Sequence, residues 1–325
     1  KEPMYSKIIG AGFYVPDNMV KNEFFESFLD TNDEWISSRT GIKSRFFSKG
    51  ENTSDLGTKA AEMALDESGL KADELDMIVF ATMTPDMYMP STACIVKKNI
   101  GAEKAFAFDI GAACSGFMYA LTVASQFIEN GSIRNALVIG GEVMSKALDF
   151  SDRSTAVLFG DGAGAVVLAA SQEPGIIKSY LGAKDDSKLS LVLEALPVEN
   201  PFVAKAEGST NKLAMEGREV FKFSTQVVGQ AIDEVLKDTG YGYEDVKMII
   251  PHQANYRLID YAIGKNKNLQ DKFYLNVDRY GNTSAGSVAI ALSEVRQKGL
   301  LKPGDLIILL GFGGGFTWGS LLIKI

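Results

Sequence analysis

The chain has 325 residues, 46% of them apolar, and a net charge of −8 without a basic cluster, which fits a large globular protein and argues against nucleic-acid binding. No apolar run reaches the ~20 residues of a membrane span, so we expect a cytoplasmic protein without a membrane partner. Two cysteines and one histidine cannot form a disulfide framework or a four-ligand zinc site, so no metal is expected.

Apolar, β-rich stretches alternate with helical patterns along the chain. In the first half strands are predicted at 76–83, 105–111 and 135–142, and in the second half at 246–253, 273–281 and 305–313. Strands of this apolar type that alternate with helices are buried on both faces. The sequence therefore predicts an α/β fold.

The two halves of the chain resemble each other. Residues 64–80 align without gaps on residues 235–251, and both stretches predict a helix, a glycine cap, an acidic turn and a buried strand. Chance similarity between two such units is common, but the order of the later elements favours a duplication. We predict halves at 1–173 and 174–325, with related turns placed side by side.

Cys114 opens a predicted helix after an apolar strand, in "FDIGAACSGFMYAL". By residue type alone it would be an inert core thiol, the reading we give to Cys94. Its position favours a nucleophile, because free N–H groups at a helix start stabilise a thiolate, and the small neighbours leave room for a substrate. We therefore expect a lowered pKa for the Cys114 thiol.

Two further residues follow predicted strands. His252 is the only histidine and stands just past the strand at 246–251, where open α/β folds bind ligands; a buried or surface histidine without a role is the alternative. Asn282 is placed between a strand and a helix, where a turn or N-cap asparagine would also occur. At the repeat offset Cys114 corresponds to position 285, so all three side chains could converge.

Two glycine-rich stretches need separate interpretation. The stretch at 160–166 loosely fits a dinucleotide-binding turn, but a strand pattern follows it, so we predict a β-hairpin bend. The stretch at 311–319 places three glycines after a buried strand. Glycines allow a close backbone approach, and their N–H groups could face an oxyanion.

Six ordered motifs between about Ile8 and Ile325 resemble the β-ketoacyl-acyl-carrier-protein synthase III enzymes of the thiolase superfamily. These motifs are "DTNDEWISSRTGIKSRFF", "DIGAACSGF", "FGDGAGAV", "PHQAN", "GNTSAGS" and "GFGGGFTWGS". The resemblance implies a thiolase-like duplicated αβαβα five-layer fold and a homodimer. It also implies no cofactor, since a coenzyme A thioester is the substrate.

The resemblance assigns a role to each of several residues. It implies a Cys114, His252 and Asn282 triad, with an oxyanion hole formed by the amides of Cys114 and Gly314. The other implied sites are coenzyme A contacts at Trp35, Arg39 and Arg153, an acyl pocket with Met89, Met215 and Phe316, and a carrier-protein face with Lys222, Arg257 and Lys265. For Trp35 the alternative is a helix residue that packs in the core.

The implied reaction has two steps. Cys114 takes the acyl group of an acyl-CoA, and malonyl-acyl-carrier protein then loses carbon dioxide to give an enolate that attacks the acyl-cysteine. His252 and Asn282 can donate to the enolate oxygen. Since a helix start could supply the thiolate, we expect the first step to depend little on His252. Met89 stands where the family reaches across the dimer to the partner's acyl pocket, and it leaves the primer length open.

Three other functions compete with this one. A polyketide synthase of the same superfamily shares the triad, and a papain-like hydrolase uses the same three residue types but a different local cysteine motif. A non-catalytic acyl-CoA binding module would have no use for Cys114.

Overall fold

The computed structural model describes residues 4–204, 207–208, 210–265 and 267–325. Its strands are β1 (Tyr5–Tyr14), β2 (Met19–Lys21), β3 (Ser44–Phe46), β4 (Met77–Ala81), β5 (Phe106–Ile110), β6 (Asn135–Glu142), β7 (Gly162–Ser171), β8 (Ile176–Ala183), β9 (Leu191–Val192), β10 (Ala214–Met215), β11 (Val246–Pro251), β12 (Leu306–Gly313) and β13 (Thr317–Lys324). Its α-helices are α1 (Asp33–Thr40), α2 (Thr53–Ser68), α3 (Thr92–Ile100), α4 (Gly116–Glu129), α5 (Arg153–Ala156), α6 (Gly217–Leu236), α7 (Tyr256–Gly264), α8 (Val277–Tyr280) and α9 (Ser287–Gln297).

Local sequence signals account for the main elements. Helix α2 begins with a capping box, in which Asn52 and Asp55 bind each other's backbone N–H groups, and it ends at Gly69, whose φ of 74° is left-handed. Strand β4 is apolar throughout and buried at every residue, because helices cover both faces of its sheet.

Two sheets are built on the same plan. The first has the order β1-β7-β6-β4-β5, and the second has the order β8-β13-β12-β11. An offset of 171 residues carries β6 onto β12, and it carries the 3-10 turn Ala113–Ser115 onto the 3-10 turn Ser284–Gly286. We name these two turns the Cys turn and the Ser turn. Their match confirms the predicted duplication of the fold.

The elements stack in five layers. One apolar cluster lies between the two sheets and contains the buried faces of α4 and α9. A second cluster packs α2 and α3 against the outer face of the first sheet, and a third packs α6 and α7 against the outer face of the second sheet. The predicted αβαβα arrangement is confirmed, and α4 and α9 form its central layer.

Two local predictions are wrong. Residues 273–281 do not form a strand: Phe273 makes one isolated bridge to Ile249, after which the Gln253 side chain accepts from the Asn276 and Val277 amides and α8 begins. Residues 160–166 are not a hairpin bend, because β7 starts at Gly162 and pairs with both β1 and β6.

No described helix is long and apolar enough to cross a bilayer.

Candidate active site

Cys114 sits at the centre of the Cys turn, directly before α4. Gly313, the last residue of β12, lies against it: a Cβ built on Gly313 would stand 2.7 Å from the Cys114 Cβ and 3.3 Å from its Sγ. Only glycine leaves room for the sulfur at this point. The close backbone approach expected of the 311–319 glycines is therefore observed.

The Cys114 thiol is buried, and its burial controls its chemistry. Desolvation raises the pKa of the thiol to about 12, and the charge of Glu142 acts in the same direction. The sulfur donates a hydrogen bond to Ser284 Oγ at 3.4 Å. The expectation of a lowered pKa is wrong, because burial outweighs the helix start. The thiol is thus protonated at rest.

His252 follows β11, and its backbone N–H donates to the Leu310 carbonyl at 2.7 Å. The ring meets Phe312 edge to face, with centroids 5.2 Å apart. Burial lowers the pKa of the imidazole to about 3, so it is neutral at pH 7. Its Nδ1 has no hydrogen-bond partner among the described residues. A neutral buried imidazole can both accept a proton and donate one.

Asn282 lies between α8 and the Ser turn, rather than after a strand as predicted. Its backbone is fixed by bonds from its N–H to the Leu158 carbonyl and from the Gly160 N–H to its own carbonyl. Its Oδ1 accepts from the Ser284 N–H at 2.9 Å. Asn282 therefore makes the bond of a turn asparagine through its Oδ1, and this bond leaves its side-chain N–H groups as donors to the cavity.

The three residues line one cavity. Its volume is about 110 Å³, and Cys114, His252 and Asn282 share its wall with Met215 and other apolar side chains. A second cavity of about 210 Å³ also reaches Cys114 and is lined by Gly314. Residues far apart in sequence thus line one cavity with Cys114, as the repeat predicted. The described residues contain no cluster that could hold a metal ion.

Phe316, one of the three residues expected in the acyl pocket, lies elsewhere. Phe316 is buried against Phe223, with ring centroids 4.2 Å apart, and lines neither cavity at Cys114. Its place in the turn between β12 and β13 directs the ring into the outer layer. Met89 is 85% exposed and lines neither cavity of its own chain. Of the three predicted residues, Met215 alone reaches the cavity wall.

The structure brings the three predicted coenzyme A residues together. The Arg39 and Arg153 guanidinium carbons lie 4.7 Å and 4.6 Å from the centroid of the Trp35 ring. Trp35 is half-buried at the start of α1, where its backbone N–H donates to the Asn32 side chain. An aromatic ring with two cations is a surface suited to a nucleotide phosphate and base.

The predicted carrier-protein residues lie on exposed parts of α6 and α7. Lys222, Arg257 and Lys265 are all exposed, and the Lys265 Nζ lies 4.7 Å from the centroid of Tyr261. The Tyr261 ring lies 5.5 Å from that of Phe221, which lines the 110 Å³ cavity. This basic face therefore borders the cavity that holds Cys114.

Sequence reasoning missed two polar residues beside the sulfur. Ser284 contacts Cys114 directly, and Glu142 is a fully buried carboxyl at the end of β6. The one available signal for Glu142 was an acidic residue that closes the apolar strand "NALVIGGE". Ser284 had no local signal beyond its place in the "GNTSAGS" motif.

Comparisons with known proteins agree with this geometry. Family models described as 3-oxoacyl-[acyl-carrier-protein (ACP)] synthase III and its C-terminal part match residues 108–185 and 236–325. The chain is 55% identical over 322 residues, 99% of each chain, to the beta-ketoacyl-[acyl-carrier-protein] synthase III of Clostridium novyi (strain NT). It is similar to the crystal structure of 3-oxoacyl-[acyl-carrier-protein] synthase III from Aquifex aeolicus VF5, with a TM-score of 0.92 and 43% identity over 98% of this chain and 100% of the other. The priming beta-ketosynthase of the R1128 polyketide pathway is similar at 34% identity and a TM-score of 0.91, over 100% of this chain and 97% of the other.

Proposed function

This chain belongs to the 3-oxoacyl-[acyl-carrier-protein] synthase III family, and we propose that Cys114, His252 and Asn282 carry out the family's condensation in two half-reactions. The enzyme is an acyltransferase that initiates fatty acid synthesis by condensing an acyl-CoA with malonyl-acyl-carrier protein. The products are 3-oxoacyl-carrier protein, carbon dioxide and coenzyme A. The observation that supports the assignment of residues is the single cavity shared by the three side chains.

In the first half-reaction the Cys114 sulfur attacks the thioester carbonyl of the acyl-CoA. Because the thiol is protonated, its proton has to leave as the new C–S bond forms. We assign this concerted transfer to the neutral His252 imidazole, which then returns the proton to the departing coenzyme A thiolate. The backbone N–H groups of Cys114 and Gly314 are the proposed oxyanion donors. This sequence of proton transfers replaces the expectation that acylation depends little on His252.

In the second half-reaction malonyl-carrier protein binds and loses carbon dioxide. The C–C bond that breaks leaves its electrons as an enolate, whose oxygen accepts hydrogen bonds from His252 and from the Asn282 amide. Asn282 serves this purpose because its Oδ1 is already held by the Ser284 N–H. The enolate carbon then attacks the acyl-Cys114 thioester and releases the sulfur as a thiolate, which takes up a proton from water to restore the resting thiol.

The two substrates approach over different surfaces. Trp35, Arg39 and Arg153 form the proposed contact for the coenzyme A head group, which carries phosphates and a base that can stack. The basic face on α6 and α7 forms the proposed dock for the acidic carrier protein. Both substrates bring their own reactive thioester, so no further cofactor takes part in this proposal.

A homodimer in the cytoplasm is the proposed form of the enzyme. Strand β5 lies at the edge of the first sheet, and its Phe106 is 44% exposed with the ring stacked on Phe108. Exposed apolar edge strands are usually covered by a partner. The exposed Met89 could then enter the acyl pocket of the other subunit.

The decisive test is covalent labelling. Parent enzyme and Cys114→Ala are incubated with a panel of acyl-CoAs, and adducts are mapped by peptide mass spectrometry. We expect one acyl group on Cys114 in the parent, none in the variant, and full labelling in the control Cys94→Ala. An adduct that survives in Cys114→Ala, or release of free acid without a detectable adduct, would contradict the proposal and favour a hydrolase. The acyl chains accepted would name the primer.

A further inference from the structure

The hydroxyl of Ser284 is a polar contact of the Cys114 sulfur. The two atoms are 3.4 Å apart, although the residues are 170 positions apart in sequence. Ser284 is 1% exposed, and Asn282 holds its backbone N–H. Its φ of 52° is left-handed, a conformation that a serine adopts only where the surrounding structure requires it. The Ser turn is therefore built to present this hydroxyl to the sulfur.

Glu142 lies behind Ser284 at the end of β6, the strand on which the Ser turn packs. The carboxyl is fully buried, and its Oε1 accepts from the Thr82 hydroxyl at 2.5 Å and from the Met83 N–H at 2.7 Å. Its Oε2 is also buried but has no partner among the described residues. A buried carboxyl oxygen without a donor is costly, so its retention calls for a reason.

Four elements surround the Glu142 carboxyl, and two of them contribute a charged or titratable group. Cys114 faces the carboxyl from the Cys turn, and the charge of Glu142 acts to raise the pKa of the thiol. Lys146 faces it from the 3-10 turn after β6, and the same charge partly offsets the lowering of the Lys146 pKa by burial. The segment after β4 contributes the Thr82 hydroxyl and the Met83 amide, and the Ser turn contributes Ser284. The carboxyl thus stands between one cation and the reactive thiol.

We propose that Ser284 and Glu142 are positioning residues for Cys114, linked so that the protonation state of Glu142 decides whether Ser284 can donate a hydrogen bond to the sulfur. The proposal rests on the proposed role of Cys114 as the nucleophile. A serine hydroxyl has one proton to donate. When Glu142 is charged, Ser284 donates to the carboxylate and accepts from the thiol. When Glu142 is protonated, it donates to Ser284, and Ser284 donates to the thiolate.

Electrostatic interactions support both proposed contacts, the one between Ser284 and Cys114 and the one between Glu142 and Ser284. The hydrogen bond with Ser284 lowers the pKa of Cys114, whereas the charge of Glu142 raises it. Burial raises the pKa of Glu142 itself to about 7, and the nearby Ser284 favours its charged form. Glu142 therefore changes charge near neutral pH. A neutral Glu142 should ease ionisation of the thiol, and loss of the Ser284 hydroxyl should hinder it.

The test measures the thiol without any acyl-CoA. The rate of Cys114 alkylation by iodoacetamide is followed from pH 6 to pH 10 by peptide mass spectrometry, with Cys94 as the internal reference. Glu142→Gln keeps the shape and an acceptor oxygen but mimics the neutral acid. We expect about tenfold faster alkylation than the parent at pH 8, which is about one pKa unit, and little difference at pH 6.

Ser284→Gly tests the other link. Glycine suits the left-handed φ at this position, so the fold should tolerate the loss of the hydroxyl. We expect about tenfold slower alkylation at pH 6, where a neutral Glu142 lets Ser284 donate to the thiolate, as for the loss of one hydrogen bond to a charged group, and a smaller loss at pH 8. In the double variant the gain from Glu142→Gln should shrink. Ser115→Ala is the matched control, because it removes a buried hydroxyl next to Cys114 that has no hydrogen-bond partner among the described residues, and it should leave alkylation unchanged.

Two outcomes would overturn the proposed link from Glu142 through Ser284 to Cys114, which we call the relay. One is that all profiles superimpose on that of the parent, and the other is that both variants shift alkylation in the same direction. If Glu142→Gln does not fold, the pH dependence of Ser284→Gly decides, because its loss of alkylation rate must be larger at pH 6 than at pH 8 if Glu142 controls the Ser284 proton. Alkylation by iodoacetamide does not require the proposed function, so the two proposals can fail separately. If the alkylation profiles shift as expected but acyl-CoA does not acylate Cys114, the proposed function is refuted and the relay is retained.

Discussion

The Cys turn and the Ser turn occupy equivalent places in the two halves but have different neighbours. Both begin with a residue in a left-handed conformation, Ala113 with φ 47° and Ser284 with φ 52°. Each packs on a strand of the opposite half, so that a Cβ on Gly140 of β6 would stand 2.1 Å from the Ala285 carbonyl oxygen. The backbone framework is therefore shared by the two turns.

The side chains at the two turns break this symmetry. The repeat places Ala285 where Cys114 stands, and it places Glu142 where Gly313 stands. Gly313 leaves space beside the sulfur, whereas the equivalent strand end in the first half carries the buried carboxyl of Glu142. A duplicated scaffold thus supplies two similar turns, and the residue that ends the facing strand decides which of them can hold a nucleophile.

The largest difference between the halves should come from the donors that the second half supplies. Asn282→Ala should lower malonyl decarboxylation about 10²- to 10³-fold, because it removes one oxyanion donor, and should leave acylation of Cys114 within severalfold. His252→Ala should suppress both half-reactions, since the protonated thiol also needs a base. Labelled carbon dioxide release and acyl-Cys114 formation are measured separately. The double variant should lose less than the product of the single losses.

Retention of acylation in His252→Ala would show that the thiol ionises without the imidazole. The start of α4 would then matter more than burial, as the sequence alone suggested.

The glycines that face the two turns should respond differently to a methyl group. Gly313→Ala crowds the Cys114 Cβ and should slow acylation about 10²-fold, since small displacements of reacting atoms have effects of that size. The matched variant Gly140→Ala meets the backbone of the other turn and should destabilise the fold by about 1–3 kcal/mol. Acylation rates and urea unfolding separate the two effects. Equal acylation losses at equal stability would contradict the asymmetry.

Substrate contacts divide between the halves and provide a smaller test. Trp35→Ala removes two cation–π contacts and should lower kcat/KM for acyl-CoA about tenfold, with decarboxylation of malonyl-carrier protein unaffected. Arg257→Glu should raise the KM for malonyl-carrier protein severalfold, more at low salt, and spare transacylation. Each variant is the control for the other. A large loss of Tm in Trp35→Ala with an unchanged KM would instead make Trp35 a core residue.

The smallest effect is expected when a thiol is added to the Ser turn at the position equivalent to Cys114. Ala285→Cys places sulfur at the position equivalent to Cys114, but Glu142 rather than glycine lies at the end of the facing strand. We expect no acyl adduct on residue 285 and continued labelling of Cys114. Acylation at 285, mapped by peptide mass spectrometry, would show that the turn alone suffices for reactivity.

Several features of this protein followed from the sequence by itself. The period of the apolar residues and the glycine caps gave α2, β4, α6 and β11 in the right order, and the alignment of 64–80 on 235–251 gave the duplicated fold. The prediction that His252 directly follows a buried strand was correct for the same reason. These are local signals, and the duplication placed the turns of Cys114 and Asn282 side by side without any coordinates.

The properties of the reactive sulfur were decided by tertiary structure alone. A pKa depends on how deeply a group is buried and on partners distant in sequence, so the low value expected for Cys114 gave way to a high one. The orientation of the Phe316 ring into the outer layer and the short helix α8 in place of a strand also depend on packing and side-chain bonds between segments. Burial, Ser284 and Glu142 act on the sulfur only once the two halves have packed together, and no local pattern in the chain records that contact.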